Sequence, residues 1–361
     1  MDTNINDNVS HTDTHNNVND SKESAGHSRS PVIIPIAGGK GGVGKTMLCA
    51  NLAIALSRLG KETVAVDLDL GGSNLHSYLG LGNIYPGIGD YIKHRGTELE
   101  DYLVPVENDN LTFLPGDGVN PFMANIAYNQ KKRLLTAIKG LNADFILLDL
   151  GAGTSYNVLD YFALSNHGIL AATPEFPSVI SILGFLKNFL FRRIEHALKK
   201  DSAVTRLLTD IYNRPMGDEP VTIPLLMDEI SKTHPKAGET ISALSADIRP
   251  GIAFNMGQSP DDLSVIKRLA GGMNKVLGVQ ADYIGFVFSD PRVATAIKNR
   301  EPLLTVYPEC LAAREIMQIA RRIIKFQQQP VENSAQLLKQ STLDFYRKHH
   351  PDENKAPEID T

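Results

Sequence analysis

The chain has 361 residues and a formal net charge of −5 at neutral pH. That is room for one large α/β domain or two small ones, with no general pull toward nucleic acid or anionic lipid. Its two cysteines, Cys49 and Cys310, lie far apart and form no CxxC, which argues against a zinc ribbon and offers no local iron–sulfur motif.

Residues 1–30 are rich in Asn, Asp, His, Ser and Thr. A segment with so little apolar surface cannot offset its ordering entropy and is expected to be a disordered polar tail. His11, His15 and His27 fall at spacings that fit no compact metal site and read as solvated. No secretory signal is legible, and no apolar run reaches the ~20 residues needed to span a bilayer, so the expectation is a cytoplasmic protein.

Order begins at Val32. The run Val32-Ile33-Ile34-Pro35-Ile36-Ala37 reads as a buried strand. A glycine-rich loop follows, then a helical pattern from Thr46 to Leu59 with Leu48, Leu52, Ala55, Leu56 and Leu59 as apolar positions, stopped by Gly60. Cys49 lies inside that pattern and reads as a small core residue. Further strands are expected at Thr63–Val66, Leu111–Leu114, Phe145–Leu148, Gly168–Ala172, Ile252–Phe254 and Tyr283–Phe288. Helical stretches separate them at Gln130–Lys139, Ser178–Leu198, Leu263–Val276 and Ala312–Lys325. Strand and helix in alternation predict an α/β fold with a doubly wound, mostly parallel sheet covered by helices on both faces. The expected main domain is 31–330. Within it, 196–249 breaks the rhythm with charged helical turns and prolines and is read as a helical insertion. Residues 331–361 are read as a C-terminal helix and an acidic tail.

The strongest motif is Gly39-Lys40-Gly41-Gly42-Val43-Gly44-Lys45-Thr46, which fits G-x-x-x-x-G-K-[ST] between a strand and a helix. Glycines let several backbone N–H groups converge on phosphates, and the following helix presents its positive end to them. Lys45 is suited to the β- and γ-phosphates, and the Thr46 hydroxyl to Mg²⁺. Val66-Asp67-Leu68-Asp69 puts two acids at the carboxyl edge of the sheet, beside the loop. Phe145-Ile146-Leu147-Leu148-Asp149 is an apolar strand ending in an acid, so Asp149 is a candidate to hold Mg²⁺, and Leu150-Gly151-Ala152-Gly153 is a candidate γ-phosphate switch loop.

The second lysine of the loop, Lys40, makes the string resemble the deviant Walker A motif of ParA/MinD-type ATPases. The resemblance runs from about Val32 to Phe326, leaving out 196–249. It implies a cytoplasmic MgATP-hydrolysing enzyme of slow, regulatory turnover that forms an ATP-dependent homodimer. In that arrangement Lys40 reaches the partner subunit's nucleotide. The same resemblance gives Asp69 the attacking water, puts Asp67 near Mg²⁺, sets Asn255 against the adenine, and lays the loop Ser289-Asp290-Pro291-Arg292 over the other side of the ring. Asp149-Leu150-Gly151-Ala152-Gly153, Thr173-Pro174-Glu175, and Asp290-Pro291-Arg292-Val293 leading to Arg300-Glu301-Pro302-Leu303-Leu304 are similar to the flagellar-number regulators FlhG/FleN.

That likeness implies a flagellar protein partner. A positioning ATPase for DNA, division sites or other cargo is the alternative, and a metabolic relative comes third. MinD-like proteins dock on membrane through a terminal amphipathic helix. In Ala335–His349 the apolar residues are few and not confined to one stripe, which favours a packed or frayed terminal helix over a membrane anchor. Two basic clusters, Arg192, Arg193, Lys199, Lys200 and Arg206, and Arg321, Arg322 and Lys325, are candidate nonspecific DNA contacts but read first as solvated faces.

Overall fold

A computed structural model of the protein describes residues 30–106, 108–116, 126–212, 222–326 and 329–350. The expected disordered tail, apart from Ser30, and the acidic tail beyond His350 lie outside the described residues.

The first half runs β1 (Val32–Ala37), α1 (Lys45–Arg58), β2 (Thr63–Asp67), α2 (Leu75–Tyr78), α3 (Ile88–Lys93), β3 (Val104–Val106), β4 (Asn108–Leu114), α4 (Tyr128–Gly140), β5 (Phe145–Asp149), α5 (Tyr156–Phe162) and β6 (Ile169–Ala172). The second half runs α6 (Phe176–Leu198), α7 (Ser202–Tyr212), α8 (Ile223–Thr233), α9 (Pro235–Asp247), β7 (Gly251–Gly257), α10 (Val265–Gly272), β8 (Asp282–Phe288), α11 (Pro291–Asn299), α12 (Leu303–Val306), α13 (Leu311–Phe326) and α14 (Ser334–His349).

The described strands form one sheet in the order β3-β4-β2-β5-β1-β6-β7-β8. β3 pairs antiparallel with β4 at one edge, and the remaining neighbours are parallel. Such strands are covered on both faces, which is why β5 reads FILLD and β1 VIIPIA rather than alternating. Pro35 is tolerated in the central strand because the ladder to β6 begins only at Ile36. β1 lies between β5 and β6, at the point where the chain order reverses. Ligands of open α/β sheets bind at the carboxyl ends of such strands.

α1 is buried almost all round, with Met47, Leu48, Leu52, Ile54 and Leu56 in the core. It lies between the sheet and α13, so it lacks the solvent face expected of a surface helix. Cys49 is buried as expected. The stretch expected as one helix over Leu263–Val276 divides into a 3₁₀ turn, α10 and a π turn at Met273–Leu277. Two consecutive glycines, Gly271 and Gly272, weaken the α-helix at that junction.

The described residues between α6 and β7 are largely helical. Prolines open α8 and α9 at their first turns. Val204, Leu208, Leu226, Ile230 and Ile241 join the core on the same side of the sheet as Phe185 and Phe189 of α6.

At the other edge, β8 would expose unpaired backbone. Ser334 Oγ accepts from Tyr283 N–H at 3.2 Å, and Arg322 Nη1 donates to the Ile284 carbonyl at 2.9 Å. These side chains from α14 and α13 blunt the edge. α14 then lies on β8, burying Leu338 and stacking Phe345 on Phe288 at 6.0 Å.

Candidate functional site

The loop after β1 turns at Gly44, which has φ of +85° and serves as the N-cap of α1. A Cβ there would lie 2.1 Å from the Asn255 amide nitrogen, so this position needs glycine for both conformation and space. The Asn255 side chain comes from β7 and donates to the Val43 carbonyl at 3.0 Å in a buried bond. Lys45 opens α1 and is itself buried.

β2 and β5 place Asp67 and Asp149 at the same register, on adjacent strands, with both side chains fully buried. Burial drives both carboxyls upward from the usual carboxylate range; the charge of Asp69 adds to the rise of Asp67, and the charges of Asp67 and Asp69 add to that of Asp149. Their occupations differ. Asp67 Oδ1 accepts from Asp69 N–H at 3.1 Å and Oδ2 from Leu75 N–H at 3.0 Å, so Asp67 braces the loop 68–75. Both oxygens of Asp149 are buried without a well-formed hydrogen bond to any described residue. Thr46 and Lys45 lie close enough to pull its carboxyl back down.

Two orphaned carboxylate oxygens beside a hydroxyl and an ammonium fit a divalent cation with phosphate. No cluster of three or more His, Cys, Asp or Glu among the described residues is arranged to hold a metal alone. A cation here would therefore need phosphate oxygens and water as further ligands, which suits Mg²⁺.

Asp69 is partly exposed and lines a cavity of about 530 Å³, together with Gly41, Gly42, Gly44, Lys45 and Thr46. A Cβ on Gly151 would lie 2.9 Å from Asp69 Oδ1, so the loop after β5 lies directly against this acid. Asn255, Met256, Phe288, Val293 and Ile297 also line the cavity, and the side chains of Asn255 and Met256 lie next to Gly44. The cavity thus joins the glycines, lysine and threonine of the phosphate loop to a wall of mixed apolar and polar side chains.

Residues 34–307 match the model of the CobQ/CobB/MinD/ParA nucleotide binding domain.

The chain belongs to this family.

Within the MinD/ParA family, the antiactivator FleN of Pseudomonas aeruginosa is 23% identical over 294 residues, 81% of this chain and 85% of that protein. The septum site-determining protein MinD of Escherichia coli K12 is 27% identical over 256 residues, 69% of this chain and 86% of MinD. The two are similarly near, so the likeness gives the family and not the subgroup. MinD of Pyrococcus horikoshii OT3, solved with Mg-ADP, shares the fold at a TM-score of 0.51 and 21% identity over 83% of this chain and 98% of that one.

The structure brings Gly41, Gly42, Gly44, Lys45, Thr46, Asp69 and Asn255 to one cavity, with Asp67 and Asp149 behind it. Gly39 packs against the Ser181 backbone of α6. Lys40 does not line the cavity; its Nζ lies 3.6 Å from Glu175 Oε2 at the surface. Pro291 also stays out of the cavity wall and opens α11, whose Val293, Ala294 and Ile297 form the wall instead. Sequence reasoning missed Asn74, Tyr78, Met256 and Ile297. Asn74, at the N-cap position of α2, carried a weak signal. Met256 carried none, since its position depends on a bulge in β7 that leaves it at φ +62°.

The expected basic clusters are partly consumed inside the molecule. Arg192 pairs with Asp160 and Glu195, Arg193 donates to Ala163 O and Asn166, and Arg322 is held at the β8 edge. Among the described residues, no helix is long and apolar enough to cross a membrane. Of the apolar residues in α14, Leu338, Phe345 and Tyr346 pack on the protein and Leu337 is exposed.

Proposed function

We propose that this chain is an MgATP-driven dimerisation switch, a slow regulatory ATPase. The observation that carries the reading is the pair of buried Asp149 oxygens, without a well-formed hydrogen bond, beside Thr46 and Lys45 and behind a cavity lined by the glycines of the phosphate loop and by apolar side chains. Thr46 and Asp149 would hold Mg²⁺, which when bound neutralises charge on the phosphate oxygens. Loop N–H groups and the start of α1 bind the phosphates, and Lys45 orients the terminal ones. Asp69, held between its own loop and Gly151, positions the attacking water. Asp67 keeps the loop 68–75 in register with that acid. Lys40, outside its own cavity, is free to serve a second subunit once it leaves Glu175.

The partner we favour is a flagellar regulator or basal-body protein, supported by the match to FleN over 81% of the chain. The somewhat higher identity to MinD favours the second reading, a positioning ATPase acting in the cytoplasm or peripherally at a membrane.

The test compares Asp69→Ala with the parent. With ATP the variant should form a dimer by sedimentation and release no phosphate; with ADP it should stay monomeric. Normal phosphate release by the variant would overturn the assignment of the water-positioning acid. A pull-down with the ATP-locked variant then separates the two partner readings: a flagellar protein supports the first, and DNA, lipid or another scaffold supports the second.

A further inference from the structure

β7 leaves regular strand geometry where it reaches the cavity of the phosphate loop. Phe254 pairs with Phe286 of β8 and Gly257 with Phe288, so three steps along β7 are matched to two along β8. The extra residue makes a bulge, a feature that re-aims side chains beside active sites. Within it Met256 takes a φ of +62°. Of the three described residues other than glycine with positive φ, Arg300 closes α11 and Asn333 caps the start of α14, where such a conformation serves a helix end. Met256 alone lies inside a strand.

Successive side chains of a regular strand point to opposite faces. Asn255 and Met256 depart from that rule. A Cβ built on Gly44 would lie 2.1 Å from Asn255 Nδ2 and 3.7 Å from Met256 Cε, so both side chains come to the same glycine of the phosphate loop. Both also line the cavity.

Folding accounts for Asn255, whose amide donates to the buried Val43 carbonyl. It does not account for Met256. That side chain is 43% exposed and belongs to the core on neither face of the sheet. A strained backbone that leaves a large apolar side chain half in water gains no burial in return, and strain of this kind clusters at ligand clamps.

The chemistry of the side chain narrows what it meets. A thioether carries no charge and donates no hydrogen bond, so it offers nothing to phosphate oxygens. It packs well on apolar surface and on aromatic rings, and its unbranched chain adapts to their shape. We propose that Met256 contacts the nucleoside part of the bound nucleotide, its thioether packing on sugar and base once the phosphates are seated on the loop. The inference rests on the nucleotide reading above and adds a residue that selects nucleotides over inorganic phosphates. Because a thioether reads no donor–acceptor pattern, it serves adenine and guanine alike.

The test is calorimetric titration of the full chain, in the presence of Mg²⁺, with ATP, GTP and tripolyphosphate. Met256→Ala should weaken ATP and GTP about five- to twentyfold and tripolyphosphate by no more than about twofold. Met256→Leu, which keeps the apolar volume, should hold ATP within about threefold of the parent. Met256→Gly suits the positive φ, so its urea midpoint should equal or exceed that of the parent while its ATP affinity falls as in Met256→Ala. This variant decides the matter if Met256→Ala misfolds. Unchanged ATP affinity on loss of the side chain, or an equal loss for tripolyphosphate, would overturn the role of Met256 and leave the nucleotide site standing. A parent protein that binds neither ATP nor tripolyphosphate would overturn the nucleotide reading itself, and this inference with it.

Discussion

The Asn255 amide donates to the Val43 carbonyl inside the bend of the phosphate loop, and Gly44 leaves just enough room for it. That geometry assigns the side chain to the shape of the loop before any contact with a base. In Asn255→Ala the Val43 carbonyl loses its buried partner, at a cost of about 1–3 kcal/mol. The loop should then bind ATP, GTP and inorganic pyrophosphate more weakly by a similar factor, roughly tenfold or more. Equilibrium titration of the three ligands checks this. A loss confined to ATP would make Asn255 a reader of the base instead. Gly151 offers a complementary probe. A methyl group there would meet Asp69 Oδ1 at 2.9 Å, and the carboxylate is the softer partner. Gly151→Ala should therefore lower kcat by about ten- to a hundredfold through misplacement of the acid. KM should change by no more than about threefold, because the phosphate cradle is untouched. Steady-state phosphate release separates the two constants. An unchanged kcat would mean that Asp69 tolerates displacement and has no exacting role.

α13 shows how an element can be legible as a helix while its chemistry is not. Its apolar spacing predicts Ala312–Lys325, and the structure gives Leu311–Phe326. Glu315, charged on paper, is 3% exposed, and burial raises its carboxyl to about 7 despite the pull of Arg322. The folded state therefore holds this proton more tightly than the unfolded chain. The stability it confers is fully present below about pH 4.5 and is lost as pH rises to about 7. Glu315→Gln removes that loss. Relative to the parent it should gain up to about 3 kcal/mol between pH 4.5 and pH 8, read from urea unfolding at both values. Titration of Asp67 and Asp149 occurs in both proteins and cancels. A difference independent of pH would mean that Glu315 is ionised in the fold. The strands, the long helices and the phosphate loop were legible because each is a local pattern: buried parallel strands as unbroken apolar runs, the loop as a fixed spacing. The burial of Glu315, the reach of Asn255 across 212 positions to Val43, and the splitting of the stretch around α10 depend on packing between distant segments, which no window of sequence contains. Asp67 belongs with them. Its position at a strand end was legible, but its two bonds to the loop 68–75 were not.

At the scale of the whole molecule the decisive question is whether the site is complete in one chain. Lys45, Thr46, Asp69 and Asp149 converge within it, whereas Lys40 points away from the cavity toward Glu175. A surface pair of this kind is weakly held and worth about 0–1 kcal/mol, so it can be given up to a phosphate. If Lys40 serves the neighbouring subunit, the Lys40→Ala and Asp69→Ala proteins should complement each other. Each alone is inactive, one for want of the lysine in both sites and the other for want of the acid. In a mixed dimer, the Lys40→Ala subunit keeps its own Asp69 and receives Lys40 from the other chain, so one of the two sites is whole. Random pairing of equal amounts should therefore restore roughly a quarter of the parent rate of phosphate release, and an excess of either variant should lower it. Were Lys40 to act within its own chain, neither site of the mixed dimer would be whole and the mixture would stay inactive. The measurement thus distinguishes a two-chain active site from a one-chain site that merely happens to dimerise. Only the two-chain site makes hydrolysis depend on assembly, which a switch of this kind requires.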